Sequence, residues 1–168
     1  MVGGDGLDYN KDAGAPATSM LETKILLSVI SDAHNGANLF TLDIKDFFLA
    51  TPMPQPEHMK IHLKIFPQDI IDQYELLQKV TADGYVYVKI KKVMYGLKQA
   101  AVLAFDHLVE KLKKFGYEPI PHTIGMWTHK ERKTTFCLCV DDFGVKYFSK
   151  DDAIYLVQAF SLLCTSHR

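Results

Sequence analysis

The stretch FCLCVDDFGV, residues 136–145, decides how this sequence is interpreted. An apolar run, Phe136 to Val140, is closed by two adjacent acids and resumes at once with Phe143. Apolar runs interrupted by a short polar pair are typical of a β-hairpin, so the acids are predicted at its tip. Aspartate is also a common turn residue because its side chain hydrogen-bonds the local backbone. The pair alone therefore leaves a purely structural role open.

A third acid lies far upstream, where the apolar segment Ala37 to Leu42 ends in Asp43. If this strand pairs with the hairpin, three carboxylates meet at one edge of a sheet. Their mutual repulsion disfavours joint ionisation unless cations compensate for it. The arrangement therefore indicates a site for divalent cations.

Between these acids the chain carries Tyr95 to Ala100, with the sequence YGLKQA. Three segments resemble, in their order along the chain, three motifs of reverse transcriptases: Asp43 to Leu49, this central stretch, and Cys139 to Asp142. The resemblance is closest to the polymerase of copia-type LTR retrotransposons, and it runs from about Gly3 to about Phe160. The six-residue central match is its most specific part.

The resemblance implies an α+β fold: a polymerase palm, in which helices back an antiparallel sheet, with part of the fingers. It implies an RNA-directed DNA polymerase that joins dNTPs to a primer 3′-hydroxyl with two Mg²⁺ ions, for which Mn²⁺ can substitute. Asp43 and Asp141 are then the bridging metal ligands. Asp142 then lies alongside as a weaker ligand or as an acid that contacts the metal's ligands rather than the metal, and the Ile44 carbonyl can complete the coordination.

The same resemblance implies contacts with the substrates. Phe48 matches the aromatic residue beneath the incoming sugar, where a ring occupies the space of a 2′-hydroxyl. A structural alternative is that Phe47 and Phe48 belong to the core. Gln99 matches a polar residue that contacts the incoming nucleotide. Template and primer contacts are implied for Tyr95, Gly96, Cys139 and Val140.

The sequence also departs from the family. Cys139 stands where motif C usually begins with an aromatic residue, and Ala101 and Val102 replace the usual Pro and Arg after the central motif. Compared with the family, residues 1–168 correspond to a single fingers/palm fragment without thumb, connection or RNase H region. The implied partners are an RNA or DNA template-primer, dNTPs and other polyprotein segments such as integrase and RNase H. The implied location is in cytoplasmic particles or the nucleus.

Composition supports an ordinary globular chain and excludes wholesale disorder, with 48% hydrophobic and 23% charged residues. No apolar run approaches the length of a membrane helix, and no secretory signal is visible, so no membrane partner is expected. The net charge of −1 favours no particular partner. Positive charge is local, in the lysines around the central motif and at the end of the following helix, while only two arginines occur. The cysteines Cys137 and Cys139 are expected to be buried thiols on one strand face.

Local patterns predict most elements. Ser19 and Glu22 form a capping-box pattern for a helix that runs to about Ala33. The prolines in Thr51–Pro56 exclude a regular helix or a central strand. The remaining predictions are strands at 38–42, 58–65, 85–91, 126–129, 134–140 and 146–148, and helices at 67–79, 98–115 and 150–163. This order predicts a β-rich sheet with helices on one side, which is an α+β layer fold.

Two other functions remain open beside the polymerase. The chain could be a catalytically inert, truncated relic that keeps the palm fold and binds nucleic acid or a protein. It could also be an unrelated α+β binding domain whose acids only cap turns.

Overall fold

The computed structural model describes residues 14–139 and 142–164. These residues form two compact units. Pro52–Lys92 forms one, here called the hairpin unit, and the other described residues form the second, here called the sheet unit.

The described elements alternate irregularly between helix and strand, as expected for an α+β chain. The strands are β1 Asn38–Asp43, β2 Pro52–His62, β3 Tyr85–Lys92, β4 Tyr117–Pro119, β5 Met126–His129, β6 Thr134–Cys139 and β7 Asp142–Tyr147. The α-helices are α1 Met20–Leu27, α2 Gln68–Gln73, α3 Ala100–Lys114 and α4 Lys150–Cys164. Short 3₁₀ helices cover Ser28–Asn35, Phe48–Ala50, Leu63–Ile65 and Leu76–Gln78.

The sheet unit is built on a five-stranded antiparallel sheet in the order β1-β7-β6-β5-β4. The expected hairpin is present, since β6 pairs with β7 and Cys139 is the partner of Asp142. The strand that ends at Asp43 lies beside this hairpin, as the sequence predicts.

One face of the sheet carries the main core, which is strongly aromatic. Phe136, fully buried, lies 5.8 Å from Phe143 and 5.9 Å from Phe160 of α4 between ring centroids. Trp127 stacks on Phe136 and meets Phe105 of α3 edge-on. Alternate residues of adjacent strands thus bury large rings beneath α3 and α4.

Helix α1 packs on the other face of the sheet, where Leu26 clusters with Met126 and Cys137. The predicted capping box is confirmed: Ser19 Oγ accepts from Glu22 N–H, and the Glu22 carboxylate accepts from Ser19 N–H. The same carboxylate accepts from Ile124 N–H at 2.6 Å, so it joins α1 to a distant turn. The expectation of helices on one side only is therefore corrected.

The hairpin unit is a two-stranded antiparallel sheet of β2 and β3, with α2 and a 3₁₀ turn between the strands. The ladder is irregular between Pro52 and Glu57, where prolines lack the N–H that a ladder requires. Gly84 ends the turn before β3 with φ +80°, a conformation that favours glycine.

Several elements differ from the sequence predictions. Strand β2 begins at Pro52 rather than at residue 58, through the irregular stretch that precedes Glu57. The strand expected to reach Ile65 ends at His62, because the His62 ring accepts from Lys64 N–H and a 3₁₀ turn follows. The first helix becomes 3₁₀ at Ser28 rather than continuing to Ala33. The helix expected over 67–79 is a six-residue α-helix and a separate turn. Strand β4 was not predicted, since three residues ending in proline give no alternating pattern.

Candidate functional site

Two of the three predicted acids face each other across neighbouring strands. Asp43 is the last residue of β1, Asp142 is the first of β7, and they are direct partners in the ladder. Directly opposite residues of an antiparallel pair have Cβ atoms about 4.5–5.5 Å apart and lie on the same face. Both residues are exposed. Like charges in this position oppose strand pairing, so folding alone gives no reason for the pair.

Cys139 extends the same row onto a third strand, since it is the partner of Asp142 in β6. It is exposed, whereas Cys137 is buried, so the expectation of two buried thiols is wrong for Cys139. Its position at the very end of the strand explains the difference, because the core does not extend that far. Burial raises the pKa of the Cys137 thiol, which keeps it protonated and unreactive.

The acids line a cavity of about 620 Å³ between α1 and the sheet. The sheet contributes Thr41, Leu42, Asp43, Cys137, Cys139, Asp142, Phe143 and Gly144, and the α1 side contributes Thr18, Thr23, Leu26 and Leu27. Asp43 also borders a second cavity of about 350 Å³, together with Lys45 and residues of α4. Space for a ligand therefore lies directly beside the two carboxylates.

Gly144 is a wall residue of the larger cavity that sequence analysis did not single out. A Cβ at this position would lie 2.9 Å from Leu26 Cδ2 and 3.2 Å from Cys137 Sγ. The absent side chain therefore lets α1 approach the sheet closely. The available signal was its place in the alternation, two residues after Asp142 and on the same face.

Asp141 and Val140 lie outside the described residues. The structure therefore does not test whether Asp43 lies close to Asp141. Within the described chain, no three His, Cys, Asp or Glu side chains converge in a way that could hold a metal ion. Asp43 and Asp142 supply two of the expected oxygen donors, on one face and beside open space, and these are the donors that Mg²⁺ prefers. The described part of the site therefore fits a hard divalent cation, with Asp141 as the further donor that the sequence offers.

The residues assigned to the incoming nucleotide are covered. Phe48 is 7% exposed and its ring meets Tyr95 edge-on at 4.6 Å. Phe47 is 6% exposed, so both rings contribute to the core. Ile44, the expected carbonyl ligand, has a buried side chain.

The central motif forms a turn that leads into α3. Gly96 has φ +92°, and Tyr95 is 55% exposed. Gln99 is 6% exposed and precedes the first residue of α3, where its side chain makes no capping hydrogen bond. Its Oε1 atom is buried and has no hydrogen-bond partner among the described residues. Tyr95 and Gly96 are thus accessible to a ligand, whereas Gln99 is not.

Comparison with known proteins adds no relative. No family model, no curated protein and no solved structure matches this chain. Among the described residues, none of the helices has the length and apolar character needed to span a membrane.

Proposed function

We propose that this chain is the palm core of an RNA-directed DNA polymerase from a copia-type retrotransposon polyprotein. The reaction is transfer of a nucleotide from a dNTP to the 3′-hydroxyl of a primer on an RNA or DNA template. The observation that supports it is the pairing of Asp43 with Asp142 on the face that lines the 620 Å³ cavity. The resemblance of the three motifs supplies the reaction type.

The acid pair carries an energetic cost that a bound cation would offset. Two exposed carboxylates directly opposite each other weaken the β1–β7 ladder, and neither has an ion pair among the described residues. A cation beside them offsets this repulsion. A purely turn-capping role would explain one aspartate near a hairpin loop but not its partner on β1.

Asp43, Asp142 and Asp141 are the residues that would hold two Mg²⁺ ions, or Mn²⁺ in their place. Bound ions would supply charge neutralisation at the attacking and departing oxygens. The chain's own contribution is to fix Asp43 and Asp142 on adjacent strands above a rigid aromatic core. Tyr95 and Gly96 would lie against the template-primer. The other polyprotein segments, integrase and RNase H, would be partners in cytoplasmic particles or the nucleus.

A second candidate function is a catalytically inert relic that keeps the fold. The burial of Phe48 and Gln99 favours it, because a side chain under 10% exposed cannot contact a nucleotide without rearrangement. Cys139, which stands where the family has an aromatic residue, also favours the inert relic.

Primer extension with a labelled primer on RNA and DNA templates distinguishes the two candidates. We expect synthesis with Mg²⁺ or Mn²⁺ that is lost in Asp43→Asn and Asp141→Asn. Asp46→Asn is the matched control: Asp46 has φ +56°, a conformation that asparagine tolerates as well as aspartate. Wild-type synthesis by Asp43→Asn would contradict the polymerase proposal.

Metal binding gives a second readout that does not require activity. We expect Mg²⁺ or Mn²⁺ to raise the melting temperature of the wild type and of Asp46→Asn. The increase should disappear in Asp43→Asn/Asp142→Asn. Metal stabilisation without primer extension would favour the relic. Absence of both metal stabilisation and primer extension would indicate that the acids are only turn residues.

A further inference from the structure

The hairpin unit exposes a sheet face that the acid site does not involve. His58, Lys60 and His62 of β2 alternate along one face. Their ladder partners on β3 are Lys89, Tyr87 and Tyr85, respectively. These six residues, here called the hairpin face, interleave basic and aromatic side chains across both strands.

The opposite face of the same hairpin explains why this one is exposed. Ladder residues Met59, Ile61, Val86, Val88 and Ile90 alternate with those of the hairpin face, and all five are buried or half-buried. In contrast, Tyr87 is 58% exposed. Its ladder partner is Lys60, and Lys89 is two residues further along the same face of β3, so the exposed ring lies between basic side chains.

Charge is segregated within the unit. Lys60 is paired with Asp83 at 2.6 Å, but Lys89 and Lys91 have no ion-pair partner in the described part of the chain. The other acids of the unit are Glu57, on the opposite face, and Asp69, Asp72 and Glu75, on or next to α2. The hairpin face is therefore positive although the chain as a whole has a net charge of −1.

The two tyrosines differ in what already covers them. The Lys60 ammonium lies 4.4 Å from the Tyr85 ring centroid, and the His62 ring meets Tyr85 edge-on at 4.9 Å. Tyr87 makes no ring-to-ring contact with any described residue. Tyr85 is thus held in place, and Tyr87 offers an open ring.

We propose that the hairpin face binds single-stranded nucleic acid, with a base stacked on Tyr87 and phosphates contacted by Lys89 and by Lys91, which alternates with Lys89 on the same side of β3. Exposed aromatic rings among lysines are the combination that single-strand binding requires, because bases stack and phosphates need cations. Bases of a duplex are already stacked and paired, so Tyr87 selects single strands over duplex. This site requires neither the acids nor a metal ion, and it is independent of the proposed polymerase activity.

The first test measures anisotropy of a fluorescent 20-nucleotide oligo-dT with the full chain in EDTA. We expect Tyr87→Ala to raise Kd roughly ten-fold, the loss of one stacked base. Tyr87→Phe should keep the wild-type Kd because it keeps the ring. Tyr74→Ala is the matched control, since Tyr74 is 54% exposed in the same unit but follows α2. A duplex of equal length should bind more weakly than oligo-dT, and oligo-U tests whether RNA binds equally.

The second test concerns the phosphates. Lys89→Gln and Lys91→Gln should each reduce the dependence of log K on log salt by about 0.7, the value for one contact to a single strand. Lys113→Gln, an exposed lysine at the end of α3, should leave it unchanged. Wild-type affinity in Tyr87→Ala, or binding equal to wild type in Lys89→Gln/Lys91→Gln, would overturn the proposal. Asp43→Asn should bind oligo-dT like the wild type, which separates a failure of this site from a failure of the polymerase proposal.

Discussion

The sheet unit and the hairpin unit each contain an antiparallel sheet, but they differ greatly in how many hydrophobic residues they bury. Of the 26 buried hydrophobic residues in the described chain, only Met53, Leu76 and Val86 belong to the hairpin unit. That unit nevertheless comprises about a quarter of the described residues. A two-stranded sheet with so little core is marginally stable, whereas the sheet unit has aromatic layers and helices on both faces. The rigid unit carries the acids, and the lightly packed unit carries the basic face.

The largest expected effect separates the cores of the two units. Phe136→Ala should cost about 3–5 kcal/mol of unfolding free energy, because it removes a fully buried ring that contacts four aromatic neighbours. Phe66→Ala makes the same chemical change at a half-buried position of the hairpin unit and should cost clearly less. Urea unfolding of both variants measures the difference. Equal losses would show that the two cores are equally well packed.

One glycine in each unit lies close to a histidine ring, so substitution by alanine measures how firmly that ring is held. Gly116 and Gly84 both have φ +80°, so alanine is strained at either position by about 1–2 kcal/mol. A Cβ at 116 would lie 2.8 Å from His129 Nε2, and one at 84 would lie 3.3 Å from His62 Nε2. His129 cannot easily move, since it accepts two backbone hydrogen bonds and packs on Tyr117. We therefore expect the larger loss for Gly116→Ala, measured by hydrogen exchange resolved to each unit. A larger loss for Gly84→Ala would reverse the ranking.

One carboxylate in each unit is held by hydrogen bonds, Glu22 in the sheet unit and Asp83 in the hairpin unit. Hydrogen bonds from the backbone of Ser19 and Ile124 lower the pKa of Glu22. A hydrogen bond from Lys60 lowers the pKa of Asp83. A carboxyl whose pKa is lower in the folded state stabilises the fold fully above its unfolded pKa, about 4.3 for glutamate, and this contribution is lost as pH falls through the folded value.

We therefore expect Glu22→Gln to lower the melting temperature at pH 7, with a smaller difference from wild type as the pH falls below about 4. Asp83→Asn should change it much less, because Lys60 and Asp83 are both well exposed. Melting curves from pH 3 to 7 provide the measurement. A pH-independent effect of Glu22→Gln would assign its role to packing rather than to its charge.

The smallest effect concerns two cations that lie over tyrosine rings and pair with aspartates. Arg132 lies 4.1 Å from the Tyr155 ring centroid and pairs with Asp152 at 2.9 Å. Lys60 has the corresponding arrangement with Tyr85 and Asp83. Arg132→Lys should cost about 0.5–1 kcal/mol, since lysine cannot both stack and pair as a planar guanidinium does. Lys60→Arg should be close to neutral in urea unfolding. A loss at Lys60 as large as at Arg132 would contradict the contrast between the units.

Elements with local signals were predictable from the sequence. The capping box of Ser19 and Glu22 is confirmed, and so is the helix predicted from residue 150, before which the Ser149 hydroxyl accepts from Asp152 N–H. The β6–β7 hairpin and the stop of α3 before Gly116 are also confirmed. Each depends on neighbours in the chain, so a few residues contain the necessary information.

Features that depend on distant contacts were less predictable. The alternation of Leu63 and Ile65 suggested a continuing strand, but Leu63 N–H donates to Gly84 O and the chain turns. The apolar character of Cys139 suggested burial, yet this last residue of β6 is exposed. For the site, the sequence placed acids at the end of the segment Ala37 to Leu42 and in the hairpin, but the pairing of β1 with β7 depends on contacts between distant strands. The alternation puts Gly144 on the same face as Asp142, yet it does not reveal that α1 approaches the sheet there.

The ladder between β1 and β7 also determines which kinds of sequence change the acid site can survive. Phe40, paired with Val145, and Asp43, paired with Asp142, are three residues apart and lie on opposite faces. A single residue inserted or deleted between them would turn Asp43 towards the buried aromatic layer or would turn Phe40 out of it. Substitutions at the exposed positions Asn38, Leu39 and Thr41 leave that count unchanged. The length of this strand therefore tolerates change less well than most of its side chains do.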